Sequence, residues 1–226
     1  MKTSRQKVIK SCLFLFEVEK KVLNTAESAD FIKKQIIIPK YEVVMKVDDI
    51  KMKPPFVLKI LSRDAIHKTE VNGVQIVKYP EELIPIFNNL INEAKKHKLS
   101  LDGIMVQEFI EGIESIIGIK NDPTFGHVIL FGLGGIFTEI IKDTSTRKCP
   151  ITLKDAEEMI EELKSSKVFH EFRGIKTNIE NLKKTLVKIS NLPKNHPEIE
   201  ELDINPFTIN NNGWAVDARV VISRKF

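Results

Sequence analysis

Cysteine is scarce in this chain. Cys12 and Cys149 are the whole supply in 226 residues, and they form neither a C-x-x-C pair nor a framework of bridges. A disulfide-held secreted scaffold is excluded, and a reducing, cytoplasmic setting is expected. Long apolar runs are missing too: no stretch approaches the ~18 residues of a membrane-spanning helix, so no membrane role is expected. The opening MKTSRQKVIKSCLFLFEVEK resembles a signal peptide only superficially, because Lys10 and Glu17 interrupt its apolar patch and no small-residue cleavage site follows. Its apolar positions Val8, Ile9, Cys12, Leu13 and Phe16 fall at helical spacing, which predicts an amphipathic helix within residues 1–23 packed on the body. No block of basic residues occurs, and the net charge is only +4. Nucleic acid is therefore not an expected partner, whereas a small anionic ligand suits the balance. Two phosphate motifs are also absent: there is no G-x-x-x-x-G-K-[ST] and no G-x-G-x-x-G opening a helix.

With 42% hydrophobic and 29% charged residues, the chain can bury a substantial core, and no repeat or low-complexity linker divides it. The segment 36–46 has strand character, and the polar VDDIKMKPP (47–55) connects it to the apolar strand FVLKIL. GVQIVKY (73–79) is a second strand. PEELIPIFNNLINEAKKHK (80–98) is a helix with Leu83, Ile86, Phe87, Leu90, Ile91 and Ala94 on one face. Four short strands then follow, at 103–109, 114–120, 127–132 and 136–142, which predicts an antiparallel sheet. Two amphipathic helices, about 154–165 and 178–190, precede a terminal hairpin turned at Asn210, Asn211, Asn212 and Gly213. The pattern is α+β, with a first lobe over 24–102, a second over 103–226, and a ligand cleft between them.

Several residues stand out chemically. Lys59 lies inside an almost wholly apolar strand, so its ammonium either reaches water at a sheet edge or meets an anion such as a phosphate. Asp203 and Asn205 share one face of their strand. With a loop of three residues, 210–212, Asn205 would stand opposite Asp217, and a carboxylate with an amide oxygen suits Mg2+, which keeps waters and borrows phosphate oxygens. Spacing alone leaves the other reading open, an Asp217–Arg219 pair with Asn205 making the turn before Pro206. GLGGIF, with Gly134 and Gly135, either turns a hairpin tightly or brings backbone N–H groups to a phosphate. His67, in HKTEVNGV, is one of five histidines; it is either an exposed loop side chain or a phosphoryl acceptor.

Taken together, FVLKILSRDAIHKTEVNGV, DGIMVQEFIEGIESIIGIKNDPTFGHVILFGLGGIFTEIIKD, FRGIK, ELDINPF and AVDARVVI resemble the ATP-grasp β subunit of ADP-forming acyl-CoA synthetases, acetate–CoA ligase in particular. The resemblance runs from Phe56 to Ile222. It implies an ATP-grasp fold with ATP or ADP between two α+β lobes. It places Lys59 on the phosphates, the main chain of Gln107, Glu108, Phe109 and Ile110 on adenine, Glu114 near the ribose, Gly134 and Gly135 at the phosphates, and Asn205 and Asp217 on Mg2+. His67 matches a histidine that carries the phosphoryl group, in a loop turned by Gly73, with Glu139 or Asp203 orienting the imidazole. The implied partner is a CoA-binding α subunit, in a heterotetramer of two α and two β chains.

Three features depart from that family's pattern. Asn72 stands where a glycine is common, the segment before FVLKI is short, and Lys148 and Cys149 replace smaller or apolar residues. Two other functions compete: a stand-alone ATP-grasp carboxylate–amine ligase, which would not need His67, and a nucleotide-sensing subunit without chemistry.

Overall fold

A computed structural model of the chain describes residues 19–63, 72–135, 143–172 and 175–224. Two antiparallel sheets organise it. The smaller contains β2 (Tyr41–Val44), β3 (Phe56–Leu61), β4 (Val74–Val77) and β5 (Gly103–Glu108) in the order β2-β5-β3-β4. The larger has the order β1-β13-β11-β6-β7-β8, with β12 paired to β11. Its strands are β1 (Glu19–Val22), β6 (Ile113–Asp122), β7 (Gly126–Leu133), β8 (Thr144–Lys148), β11 (Ile199–Ile209), β12 (Gly213–Ala215) and β13 (Ala218–Arg224). The short pair β9 (Glu171–Phe172) and β10 (Ile175–Lys176) stands apart.

Alternation explains the small sheet. Phe56, Leu58 and Ile60 of β3 join Ile104 and Val106 of β5 against Phe87, Leu90 and Ala94 of α2 (Leu83–Lys96). Each such Leu, Ile or Phe side chain contributes about 1.5–3 kcal/mol when taken from water. Val57, Lys59 and Leu61 occupy the opposite face of β3, and they too are buried. The large sheet is backed by α1 (Thr25–Ile32), α3 (Leu153–Glu161), α4 (Ser166–His170), α5 (Ile179–Ser190) and α6 (Leu192–Asn195). Its core joins Ile117, Ile119, Phe131, Leu202, Ile204 and Val220 to Met159, Phe169 and Leu186. Two capping boxes start helices here, Asn24 with Glu27 for α1 and Thr152 with Asp155 for α3. Each satisfies otherwise orphaned N–H groups. Among the described residues no helix is long and apolar enough to cross a membrane.

The lobe boundaries differ from the sequence expectation in three places. Residues 19–22 form a strand on β13, so the predicted helix does not run to residue 23, and its apolar positions 8–16 lie outside the described residues. Ile32 and Ile36, assigned to the first lobe, pack in the core of the large sheet, as does Leu23 from the N-terminal segment. β5 pairs with β2 and β3, so the four strands after residue 103 do not make one sheet, and the chain crosses between lobes after Glu108. The reason is common to all three: local pattern fixes a strand, whereas its hydrogen-bonding partner is chosen by tertiary packing. The fourth of those strands, 136–142, also lies outside the described residues, and β8 at 144–148 was not foreseen.

Candidate functional site

Lys59 is only 3% exposed, and its ammonium donates a 2.7 Å hydrogen bond to the carbonyl oxygen of Val216, between β12 and β13 of the large sheet. The snorkelling alternative is thereby removed: the charge points inward, at the junction of the two sheets. Met105 of β5 stands beside Lys59, and Gln107 stands beside Val57, on the same face. Gln107 is 1% exposed, and its Oε1 has no hydrogen-bond partner among the described residues. Beyond it the strand ends at Glu108, whose N–H donates to Lys40 O at 2.9 Å, while Phe109 is exposed.

The large sheet carries a second group of candidate residues. Gly134 N–H donates to Glu114 O at 2.9 Å, and a Cβ built on Gly134 would lie 2.8 Å from the backbone of Glu114 and Ser115. Only glycine allows that approach. Gly135 has φ +75°, and the Glu114 carboxylate lies 3.6 Å from the position of a Cβ there. Glu114, Gly134 and Gly135 are thus brought together.

The terminal hairpin has the three-residue connection 210–212, with Ile209 paired to Gly213. In the register that follows, the Asn205 N–H donates to Asp217 O at 3.1 Å, so these two residues stand opposite each other. On the other side, the pairing of β11 with β6 shifts between Ile204 and Phe207. Such an irregularity bends a strand and re-aims its side chains. Leu202, Ile204, Ala218 and Val220 turn into the core. Alternation therefore turns Glu201, Asp203, Asn205, Asp217 and Arg219 to the other face. Burial raises the Asp203 carboxyl above its usual range; Glu201 and Asp217 add to this, and Arg219 opposes it. The ion pair of Arg219 among the described residues is with Glu201, at 3.6 Å.

An amide oxygen and a carboxylate opposite each other fit a hard divalent ion that retains other oxygen ligands. They do not make a closed cage. Among the described residues no three His, Cys, Asp or Glu side chains converge in one.

His67 and Glu139 lie outside the described residues. The base of the His67 segment is described: Ile60 N–H donates to Gly73 O at 2.9 Å, and Asn72 adopts φ +52°. Asparagine thus takes the left-handed conformation that glycine commonly supplies. Sequence reasoning missed the Val216 carbonyl, which has no signature because it is a main-chain atom. Arg219 entered the sequence reading only as a partner for Asp217.

Comparison with known proteins places the chain in a family. The profile of the ATP-grasp domain family matches residues 14–222. The β subunit of ADP-forming acetate–CoA ligase I from Pyrococcus furiosus is 42% identical over 174 residues, covering 74% of this chain and 75% of that one. An ADP-forming acetate–CoA ligase I from Archaeoglobus fulgidus is 37% identical over 176 residues, covering 76% of this chain but 26% of the relative. The chain thus spans about a quarter of that longer relative. Among solved structures, the dinucleotide-forming acetyl-coenzyme A synthetase 1 of Ca. Korarchaeum cryptofilum, in complex with coenzyme A, Ca-AMPCP and HgCl+, superposes with a TM-score of 0.85 at 33% identity. That match covers 98% of this chain and 100% of the other. The chain belongs to the ATP-grasp domain family, in the group that contains the β subunits of ADP-forming acetate–CoA ligases.

Proposed function

We propose that this chain is the nucleotide-binding subunit of an ADP-forming acyl-CoA ligase, acetate–CoA ligase in particular, and that it acts with a CoA-binding α subunit. The net reaction is acyl-CoA + ADP + phosphate giving acid + CoA + ATP, reversibly. The observation that carries the reading is the 42% identity to a β subunit, three-quarters of which this chain spans. The hydrogen bond from Lys59 to Val216, the residue before Asp217, supports it. The nucleotide analogue in the related synthetase supports a nucleotide between the sheets.

In this reading Lys59 neutralises phosphate charge from the small sheet, while Gly134 and Gly135 offer close backbone approach from the large one. Gln107, Glu108, Phe109 and Ile110 line the base, and Glu114 faces the ribose. Asn205 and Asp217 hold Mg2+, which when bound neutralises charge on the phosphate oxygens. His67 carries the phosphoryl group: its P–N bond breaks as a bond forms from phosphorus to the terminal phosphate oxygen of ADP, and the imidazole keeps the electron pair. Asp203 or Glu139 orients that ring. Phosphoryl transfer asks a protein chiefly for alignment and charge neutralisation, and these residues supply both. The assembly is two α and two β chains, in the cytoplasm.

The test is incubation of the purified chain with γ-labelled ATP and Mg2+, with and without the α subunit. Acid-labile, base-stable label that disappears in His67→Ala is the expected result. Nucleotide binding without label, given an active partner, overturns the relay; ligation of an acid to an amine by the chain alone overturns the subunit assignment.

A further inference from the structure

Among the arginines with described side chains, two are held by short ion pairs. Arg63 donates to Glu27 at 2.8 Å, and Arg147 grips both oxygens of Glu162 at 2.9 and 2.8 Å. Arg219 is different. It stands directly opposite Asp203 in the β11–β13 ladder and two residues beyond Asp217. Its one ion pair among the described residues is a 3.6 Å approach of Nη1 to Glu201, too long for a hydrogen bond. Its Nε is buried and has no hydrogen-bond partner among the described residues.

A guanidinium is always charged and carries five donors with no acceptor. Burying one of those donors without a partner is unfavourable, and a strand that needed only to neutralise its carboxylates would close a two-pronged pair, as Arg147 does with Glu162. The face around Arg219 also has room. Across Asp203 on β6 lies Gly118, where an added Cβ would find its nearest neighbours 3.8 Å away. From the opposite sheet, the Lys59 ammonium reaches Val216, three residues before Arg219. Two cations, one from each sheet, thus lie at the short stretch 216–219 at the start of β13, and one of them has an unmet donor among the described residues.

We propose that Arg219 is a further phosphoryl-binding residue, whose guanidinium takes oxygens of the terminal phosphate of the bound nucleotide opposite Lys59. This rests on the nucleotide-binding reading above and deepens it. Tetrahedral phosphate offers paired oxygens to a planar fork, which a carboxylate cluster already facing a metal cannot do without competing for it.

The experiment measures equilibrium binding of AMP, ADP and a non-hydrolysable ATP analogue to the full chain in Mg2+, for the unaltered protein, Arg219→Gln and Arg219→Lys. Arg219→Gln is expected to lose about tenfold or more in affinity for the analogue while AMP binding stays unchanged. Arg219→Lys, which keeps the charge and loses the fork, is expected to fall between them. Equal loss for AMP and the analogue would mean a merely structural or long-range electrostatic role, and unchanged affinity would mean none; either overturns the assignment. If Arg219→Gln does not fold, the same selective loss is read from Arg219→Lys, and its absence overturns the proposal. Should the unaltered chain bind no nucleotide, the nucleotide-binding reading fails and Arg219's role falls with it.

Discussion

The ammonium of Lys59 lies 2.7 Å from the carbonyl oxygen of Val216, so a buried charge on the small sheet is hydrogen-bonded to the residue that precedes Asp217 on the large one. A lysine this buried needs an acceptor, and here the acceptor is the neighbour of Asp217, in the connection between β12 and β13. The two halves of the site are therefore linked before any ligand enters.

Lys59→Met tests this directly. The variant keeps the apolar stem and loses the charge, so the core of the small sheet is retained. Phosphoryl transfer is expected to fall by about 10²-fold or more, the scale seen when a charge-stabilising donor is removed. Calorimetric binding of the nucleotide should weaken in parallel, and unaltered binding and rate would exclude Lys59 from the phosphates.

Asn205→Ala and Asp217→Asn are expected to raise the Mg2+ concentration needed for half-maximal activity by about tenfold or more, equivalent to about 1.4 kcal/mol of binding. Titration with Mg2+ at saturating nucleotide is the measurement. An unchanged requirement in both variants would remove the terminal hairpin from the metal site.

Asp203 makes stability depend on pH in a defined direction. Its carboxyl is raised above the ordinary 3.8 by burial, then by Glu201 and Asp217. The folded state then holds the proton more tightly than the unfolded one, so stability from protonation is fully present below pH 3.8 and is lost as pH rises through the raised value. At neutral pH the ionised group is a net cost. Asp203→Asn is expected to raise Tm at pH 7 by roughly 2–4 °C, about 1 kcal/mol in a chain of this size, with the gain shrinking toward pH 4. A gain equal at both pH values, or none, contradicts this.

Gly134 and Gly135 are expected to differ under the same substitution. Gly134→Ala drives a Cβ to 2.8 Å from the backbone of Glu114 and Ser115, whereas Gly135→Ala meets the Glu114 side chain at 3.6 Å and bears only the strain of φ +75°. Overpacking costs about 1–3 kcal/mol and an alanine at positive φ about 1 kcal/mol. Thermal unfolding should therefore rank Gly134→Ala below Gly135→Ala, and the reverse order would mean that β6 yields to the intrusion.

The alternating apolar pattern determined most of the strands and both long helices, because period 2 and period 3.6 are local properties of a chain. β3 was legible to the residue, and the turn was legible at 210–213 from its asparagines and glycine between two apolar runs, while its three-residue length was one reading that the structure selected. With that turn given, the register of the hairpin followed, and Asn205 came opposite Asp217.

Pairing was left to the tertiary structure. β5 reads like its successors β6 and β7, yet it lies in the small sheet, and β1 joins β13 from the far end of the chain. Strand propensity does not name a partner; burial of a shared face does. The same holds for the site. Lys59 could be picked out from its apolar neighbours, but the side it faces and the Val216 carbonyl it meets are set by the approach of two sheets 157 residues apart in sequence. Which arginine lacks a close partner among the described residues is likewise decided by packing, because an ion pair depends on distances that sequence spacing does not fix.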